Sequence, residues 1–158
     1  MTIFTVVVIA LALSGLPSQS KRVLVIEPFT VAAGVELPYD MKQLQAGLVA
    51  DLKVQVGKEY EVVAEVPAAS QSAVYRLTGE FTGWRPGNAA KRLLVGMGSG
   101  RESSDLHYKV IESSGQSVVD RTDTIRTNFY AQTAGSVGTL VHPIAQKIAG
   151  RIKDAKLK

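Results

Sequence analysis

The chain has 158 residues, which is enough for one ordinary domain and too few for two. Its contents of 46% hydrophobic and 20% charged residues are typical of globular proteins and exclude a wholly disordered chain. The absence of cysteine excludes disulfides, thiolate zinc sites and thiol catalysis. Residues 81–158 hold 12 basic and 6 acidic residues, but these are dispersed along the segment. We therefore expect no nucleic-acid partner, since such partners require a dense basic face.

The first 20 residues have the pattern of a signal peptide. Residues 3–13 are apolar except for Thr5, and small residues follow, with Ser18 and Ser20 at the −3 and −1 positions of a cut before Lys21. The run is shorter than the ~20 apolar residues that a membrane span needs. We expect an exported protein of the periplasm or outer-membrane periphery, with a single domain over 21–158 and no membrane span in the mature chain. A buried N-terminal strand and an uncleaved anchor are the alternatives.

Residues 13–15 resemble the start of a bacterial lipoprotein signal. In such a signal the next residue is a lipidated cysteine, whereas this chain has Leu16 and no cysteine anywhere. The chain therefore cannot be anchored by that route. Descent from a lipoprotein and a chance match of a common tripeptide both explain the pattern.

The first half of the mature chain predicts a strand, a loop and a helix. The apolar, β-branched run around 23–26 indicates a strand buried on both faces, and residues 30–39 indicate a loop. Asp40 is a suitable helix N-cap and Gly57 a suitable end. Between them an apolar stripe has helical spacing and comprises Met41, Leu44, Leu48, Leu52 and Val56.

The second half predicts four strands and a final helix. The strands are expected over 60–66, 74–84, 105–111 and 116–129, with a turn over 113–116 before the last one. The polar centre of the last strand indicates that this strand is exposed on one face or lies at an edge of the sheet. A helix is expected over 140–155, with Pro143 in its first turn or at a kink. The fold class is thus an α+β two-layer sandwich, with one mixed, mainly antiparallel sheet of about five strands and two helices on one face.

Residues 83–101 stand out because they contain five glycines, four basic residues and no acidic one. Such a segment can cradle an anion through its backbone N–H groups, but the spacing fits neither a dinucleotide-binding fingerprint nor a Walker motif. A loop crossing between strands, which overlaps with a partner-binding loop on a rigid scaffold, is the favoured interpretation of the segment. Trp84 is either a core residue or a contact anchor. The candidate interaction surface comprises Trp84, Arg85, Lys91, Arg92, Gly96, Gly98, Gly100 and Arg101.

No motif in the chain supports catalysis or metal binding. His107 is expected on a solvated strand face and His142 in the first turn of a helix, and neither has metal-ligand spacing. Asp120 and Asp123 lie three apart on a strand and should face opposite sides. Ser99 lies between Gly98 and Gly100, but a nucleophile elbow needs glycine two residues away on each side, where this chain has Met97 and Arg101. We expect a protein that is not an enzyme and that uses no cofactor and no metal.

The stretch 74–126 resembles a bacterial envelope family catalogued as domain of unknown function 4410. The resemblance rests on residues 75–79, on Gly87, Ala90 and Arg92, on the glycines of 95–100 and on the turn at 114–115. It implies a small exported protein, in a family rich in lipoproteins, with an α/β sandwich distantly similar to envelope assembly factors. It implies no reaction and no catalytic residue.

Two functions remain open from the sequence. The first is an envelope interaction or assembly module that contacts another protein or the cell wall through the 83–101 segment. The second is a periplasmic binder of a small anionic ligand through the same glycines. The sequence determines neither the partner nor the oligomeric state.

Overall fold

The computed structural model describes residues 21–65, 74–87, 101–127 and 137–157. It confirms the predicted fold class, with one mixed sheet and two helices that share a single core with one face of the sheet. None of the helices in these ranges is long and apolar enough to cross a bilayer. The elements are β1 Arg22–Ile26, β2 Thr30–Val31, α1 Met41–Val56, β3 Tyr60–Val63, β4 Val74–Arg85, β5 Ser103–Glu112, β6 Ser117–Arg126 and α2 Val137–Ala155.

The sheet has the strand order β3-β1-β4-β5-β6. β1 pairs in parallel with β3 and β4, whereas β4–β5 and β5–β6 are antiparallel. The edge position predicted for the polar strand β6 is confirmed. Residues 30–39 are not entirely loop, because Thr30 and Val31 form β2 and pair in parallel with β4 beyond the end of β1. A two-residue strand is too short to show a periodicity in the sequence.

Helix α1 has the predicted cap and the predicted buried stripe. The carboxylate of Asp40 accepts hydrogen bonds from the backbone N–H groups of Lys42 (2.8 Å) and Gln43 (2.9 Å). Gly57 ends the helix and donates its N–H to the Lys53 carbonyl at 3.0 Å. The side chains of the stripe pack in the core, fully for Leu44, Leu48, Leu52 and Val56 and partly for Met41.

Helix α2 begins at Val137 rather than at 140, because Gly138 lies inside the helix and not in the preceding loop. Pro143 and His142 therefore lie in the second turn. The first-turn position predicted for His142 is wrong, and so is the first of the two alternatives given for Pro143. The imidazole of His142 contacts the carboxylate of Asp51 on α1, with 2.9 Å between Nδ1 and Oδ2. This contact joins the two helices on the solvent side of their interface.

The strands alternate between a face that packs on the helices and an open polar face. On β4, Tyr75, Leu77 and Phe81 are buried, and Arg76 and Thr82 are exposed. Gly79 lies on the packed face because a Cβ there would be 2.5 Å from the ring of Phe29. The helices thus cover one face of the sheet only. The other face presents polar side chains of β4, β5 and β6 to solvent.

Candidate interaction site at the stem of the 83–101 segment

A β-bulge determines how the 83–101 segment leaves the sheet. The β4–β5 register runs to Phe81 opposite Leu106 and resumes at Gly83 opposite Asp105, so Thr82 is the extra residue. Because one inserted residue reverses the alternation of side chains, Trp84 faces the helices and Arg85 faces the open side. Without the bulge, Trp84 would face the open side and Arg85 would face the helices.

Trp84 takes part in a cluster around a buried carboxylate. Glu102 is only 6% exposed, and its Oε1 accepts hydrogen bonds from the Trp84 indole Nε1 at 2.9 Å and from the Tyr39 hydroxyl. The Glu102 carbonyl also accepts a hydrogen bond from the Thr127 N–H at 3.0 Å. A buried carboxylate is costly unless it is hydrogen-bonded, and these donors offset that cost. The cluster joins the loop before α1, the end of β4, the start of β5 and the end of β6. Together with the neighbouring Arg85, the side chains of Tyr39, Trp84 and Glu102 form the stem of the 83–101 segment.

Arg85 is bound laterally to the neighbouring strand. Its Nε donates to Ser103 Oγ at 3.1 Å, and its Nη2 donates to Asp105 Oδ1 at 2.8 Å. The hydrogen bonds from Arg85 and from Thr124 hold the pKa of Asp105 below its usual range. The Arg85 side chain is still 56% exposed, so one face of the guanidinium remains open to solvent. The residue is a paired cation at the surface rather than an isolated one.

The structure thus describes three of the predicted surface residues and leaves five outside the described ranges. Trp84 and Arg85 lie at the end of β4, where they pair with Ser104 and Ser103 of β5, and Arg101 lies two residues before β5. Trp84 is half-buried and hydrogen-bonded, so it combines the core and contact interpretations. The residues outside the described ranges are Lys91, Arg92, Gly96, Gly98 and Gly100.

Sequence reasoning missed the two residues that complete the stem. Glu102 was visible only as the first acidic residue after an acid-free segment, and Tyr39 precedes the N-cap of α1. Neither pattern predicts a contact, because the bulge at Thr82 is what turns Trp84 towards both residues.

Two further polar clusters flank the stem on opposite faces of the sheet. On the open face, Asp120 contacts His107 at 2.8 Å and Lys109 at 3.1 Å, and hydrogen bonds from these two residues lower its pKa. The solvated position predicted for His107 is confirmed. The predicted opposite orientation of Asp120 and Asp123 is also confirmed, since Asp123 faces α2.

The second cluster ties the edge strand to α2. Tyr108 donates its hydroxyl to Asp123 at 2.7 Å, and the guanidinium of Arg151 and the ammonium of Lys147 lie 3.3 Å and 3.6 Å from the same carboxylate. Burial opposes ionisation of Asp123, but the hydrogen bonds from Tyr108 and Arg151 outweigh it and lower its pKa. Burial, with the bond to Asp123, raises the pKa of Tyr108. Within the described ranges no three acidic or histidine side chains are grouped as a metal site would require.

Solved structures of three bacterial proteins share this fold at low sequence identity. A Xanthomonas campestris protein of family DUF330 superposes with a TM-score of 0.55 and 14% identity, covering 85% of each chain. The hypothetical protein CT253 from Chlamydia trachomatis gives 0.53 and 9%, covering 86% of this chain and 98% of that one. PelC from Paraburkholderia phytofirmans, a dodecamer, gives 0.51 and 14%, covering 78% and 86%. At these identities the likeness establishes the fold alone.

Sequence comparison gives a direct assignment. The comparison with curated proteins gave no match. One family model matches residues 36–134, a range that includes α1, the stem and the hairpin of β5 and β6. The chain therefore belongs to the family described as a domain of unknown function, DUF4410.

Proposed function

We propose that this protein is an exported, non-catalytic interaction or assembly module of the bacterial cell envelope. The 83–101 segment is the proposed contact surface. The observation that carries the proposal is the Glu102 cluster, which ties both ends of an acid-free, basic segment to the rigid sheet. A segment presented on a fixed stem binds a partner with less loss of conformational entropy than a free loop does.

The proposed partner is another envelope protein or the cell wall. The dodecameric PelC has the same fold, which supports the idea that this fold can serve in an assembly. A second copy of the chain is therefore the first protein partner to examine. Native mass spectrometry of the purified mature chain would detect such an assembly directly.

The partner can be sought by in-cell cross-linking of a tagged chain, followed by mass spectrometry of the envelope fraction. Arg92→Glu combined with Arg101→Glu should abolish capture and leave the melting temperature nearly unchanged. The matched control is Lys58→Glu with Lys153→Glu, which reverses two exposed charges, one just before β3 and one near the end of α2. Equal loss of capture in both double variants would contradict a role for the 83–101 segment. Unfolding of the first variant alone would show that the segment is structural.

Export is part of the proposal and rests on the sequence pattern of residues 1–20. In a bacterial host, the processed protein should appear in the periplasmic fraction with Lys21 as its first residue. Full-length chain in the cytoplasmic fraction would contradict export.

Binding of a small anionic ligand is a second candidate, favoured by the five glycines and four basic residues of the segment. It predicts that inorganic phosphate or a small dicarboxylate raises the melting temperature in a saturable way. The pairing of Arg85 with Asp105 reduces the free positive charge at the stem and makes this candidate the weaker one.

A further inference from the structure

The two helices share one layer but differ in their outward faces. Exposed positions of α2 carry mainly polar side chains, such as Gln146, Lys147 and Asp154. Exposed positions of α1 include Ala46, Ala50 and Val54, the last of them 80% exposed. The other exposed positions, Lys42, Gln43 and Lys53, are polar, so the outward face of α1 carries an apolar strip between polar residues. An apolar strip with a polar rim is typical of a surface that is covered. The outer side of α1 is therefore a candidate binding surface.

This side of α1 forms one wall of an apolar groove of about 660 Å³. Pro28, Phe29 and Ala64 form the opposite wall. The volume lies in the range of roughly 300–1,000 Å³ that small-molecule sites occupy. The α1 residues that line the groove are Met41, Lys42, Gln45, Ala46, Val49, Ala50 and Lys53.

Gln45 holds the two walls together and makes the groove preformed. Its Nε2 donates to the carbonyls of Ile26 and Glu27, each at 3.1 Å, and its Oε1 accepts the N–H of Phe29 at 3.3 Å. These bonds occupy both amide protons and the amide oxygen, so Gln45 offers little polarity to the groove. The ring of Phe29 is further fixed by its packing on Gly79 and Phe81.

The charged residues of the described ranges that line the groove are all basic. Lys42 and Lys53 are both exposed at its rim, and no acidic residue lines it. Neither ammonium forms an ion pair with a carboxylate of the described ranges. Eleven helical positions separate them, which is about 16 Å along the axis. An elongated apolar ligand with a negative group at one end matches this arrangement.

Two other occupants fit less well. A partner helix of three turns and about 10 Å diameter takes up roughly twice the volume of the groove. A second copy that packs α1 on α1 would bring lysines of the two copies together in either orientation, which is unfavourable. We infer that the groove binds the single acyl chain of an anionic amphiphile of the fatty-acid type, with its carboxylate at Lys42 or Lys53.

The test is isothermal titration of the mature chain with dodecanoate below its micelle concentration. Saturable binding of one molecule per chain is expected. Ala46→Trp should fill the groove and weaken binding about tenfold or more, as expected when an apolar pocket loses its space. Val54→Trp places the same side chain on the same helix outside the groove lining, and it should leave binding unchanged. Both sites are exposed, and thermal unfolding checks that both variants remain folded.

The charge assignment is tested with Lys42→Glu combined with Lys53→Glu. This variant should bind dodecanoate about tenfold more weakly while its affinity for uncharged dodecanol is retained. Lys58→Glu, exposed but not in the groove lining, is the control. Equal loss of binding in the Ala46 and Val54 variants, or no saturable binding at all, would overturn the inference.

Two other results would assign the groove to a different occupant. Binding to phosphatidylglycerol vesicles without binding of dodecanoate would assign the face to a membrane surface and overturn the inference. An assembly of copies that Ala46→Trp dissociates would assign it to self-association and do the same. Partner capture through the 83–101 segment should be unaffected by Ala46→Trp, so the two proposals can fail separately.

Discussion

Replacement of Tyr39 by Phe tests whether the Glu102 cluster stabilises the stem. The change removes one hydroxyl and leaves the ring in its buried position, where Tyr39 is 7% exposed. The lost hydrogen bond goes to a buried carboxylate, and bonds to charged groups contribute about 1.5–3 kcal/mol. We expect the free energy of unfolding to fall by about 2 kcal/mol.

Equilibrium unfolding in urea measures this change. The midpoint should move to lower urea with the m-value unchanged, because the extent of the folded surface stays the same. A double-mutant cycle with Glu102→Ala, which removes the acceptor, isolates the bond from other contacts of the phenol. We expect a coupling energy of about 1 kcal/mol or more between the two sites. A loss below about 0.5 kcal/mol, or strictly additive effects, would refute the idea that the carboxylate and the phenol hold the stem together.

Three further changes have definite expected results. Gly79→Ala places a Cβ 2.5 Å from the Phe29 ring and should destabilise the protein by about 1–3 kcal/mol in urea unfolding. A Cβ at Gly150 on α2 meets no atom within 4 Å, so Gly150→Ala should stabilise the protein by about 0.5–1 kcal/mol. A Gly150 variant less stable than the Gly79 variant would contradict the packing described for both sites. The pKa of Asp123 is lower in the folded state than in the unfolded state. The ionised carboxylate therefore stabilises the fold fully above its unfolded-state pKa, and this stabilisation is lost as the pH falls through its folded-state pKa. Asp123→Asn should therefore lower stability at neutral pH and flatten its acid dependence, and an unchanged acid profile would argue against this.

Most of the fold could be predicted because its elements carry strong periodic signals. The stripe at Leu44, Leu48 and Leu52 and the alternation at Tyr75 and Leu77 identify the helix and the strand with their buried faces. Features that depend on pairing rather than on periodicity could not be predicted. β2 is defined only by its contact with β4, and the start of α2 was hidden because glycine in a first turn resembles a loop.

The site was harder to predict than the fold for one physical reason. The sequence places Trp84 and Arg85 at the end of an alternating strand, and simple alternation would put Trp84 on the open face with Thr82. The bulge at Thr82 reverses that order, and Gly83 beside it is a weak signal because a glycine in a strand does not by itself determine the register. A single inserted residue thus decides which side chain anchors the stem at Glu102 and which one faces solvent.

The two proposed surfaces differ in how far the sequence alone indicates them. The stem needs polar contacts between residues far apart in sequence, such as Tyr39 and Glu102, so only the folded chain reveals it. The groove on α1 leaves a trace in the sequence, because Ala46 and Ala50 are apolar where an outward helix face is normally polar. The helical stripe that identified α1 accounts for its inward face alone. Ala46 and Ala50 lie outside that stripe, and a ligand in the groove supplies a physical reason for their apolar side chains.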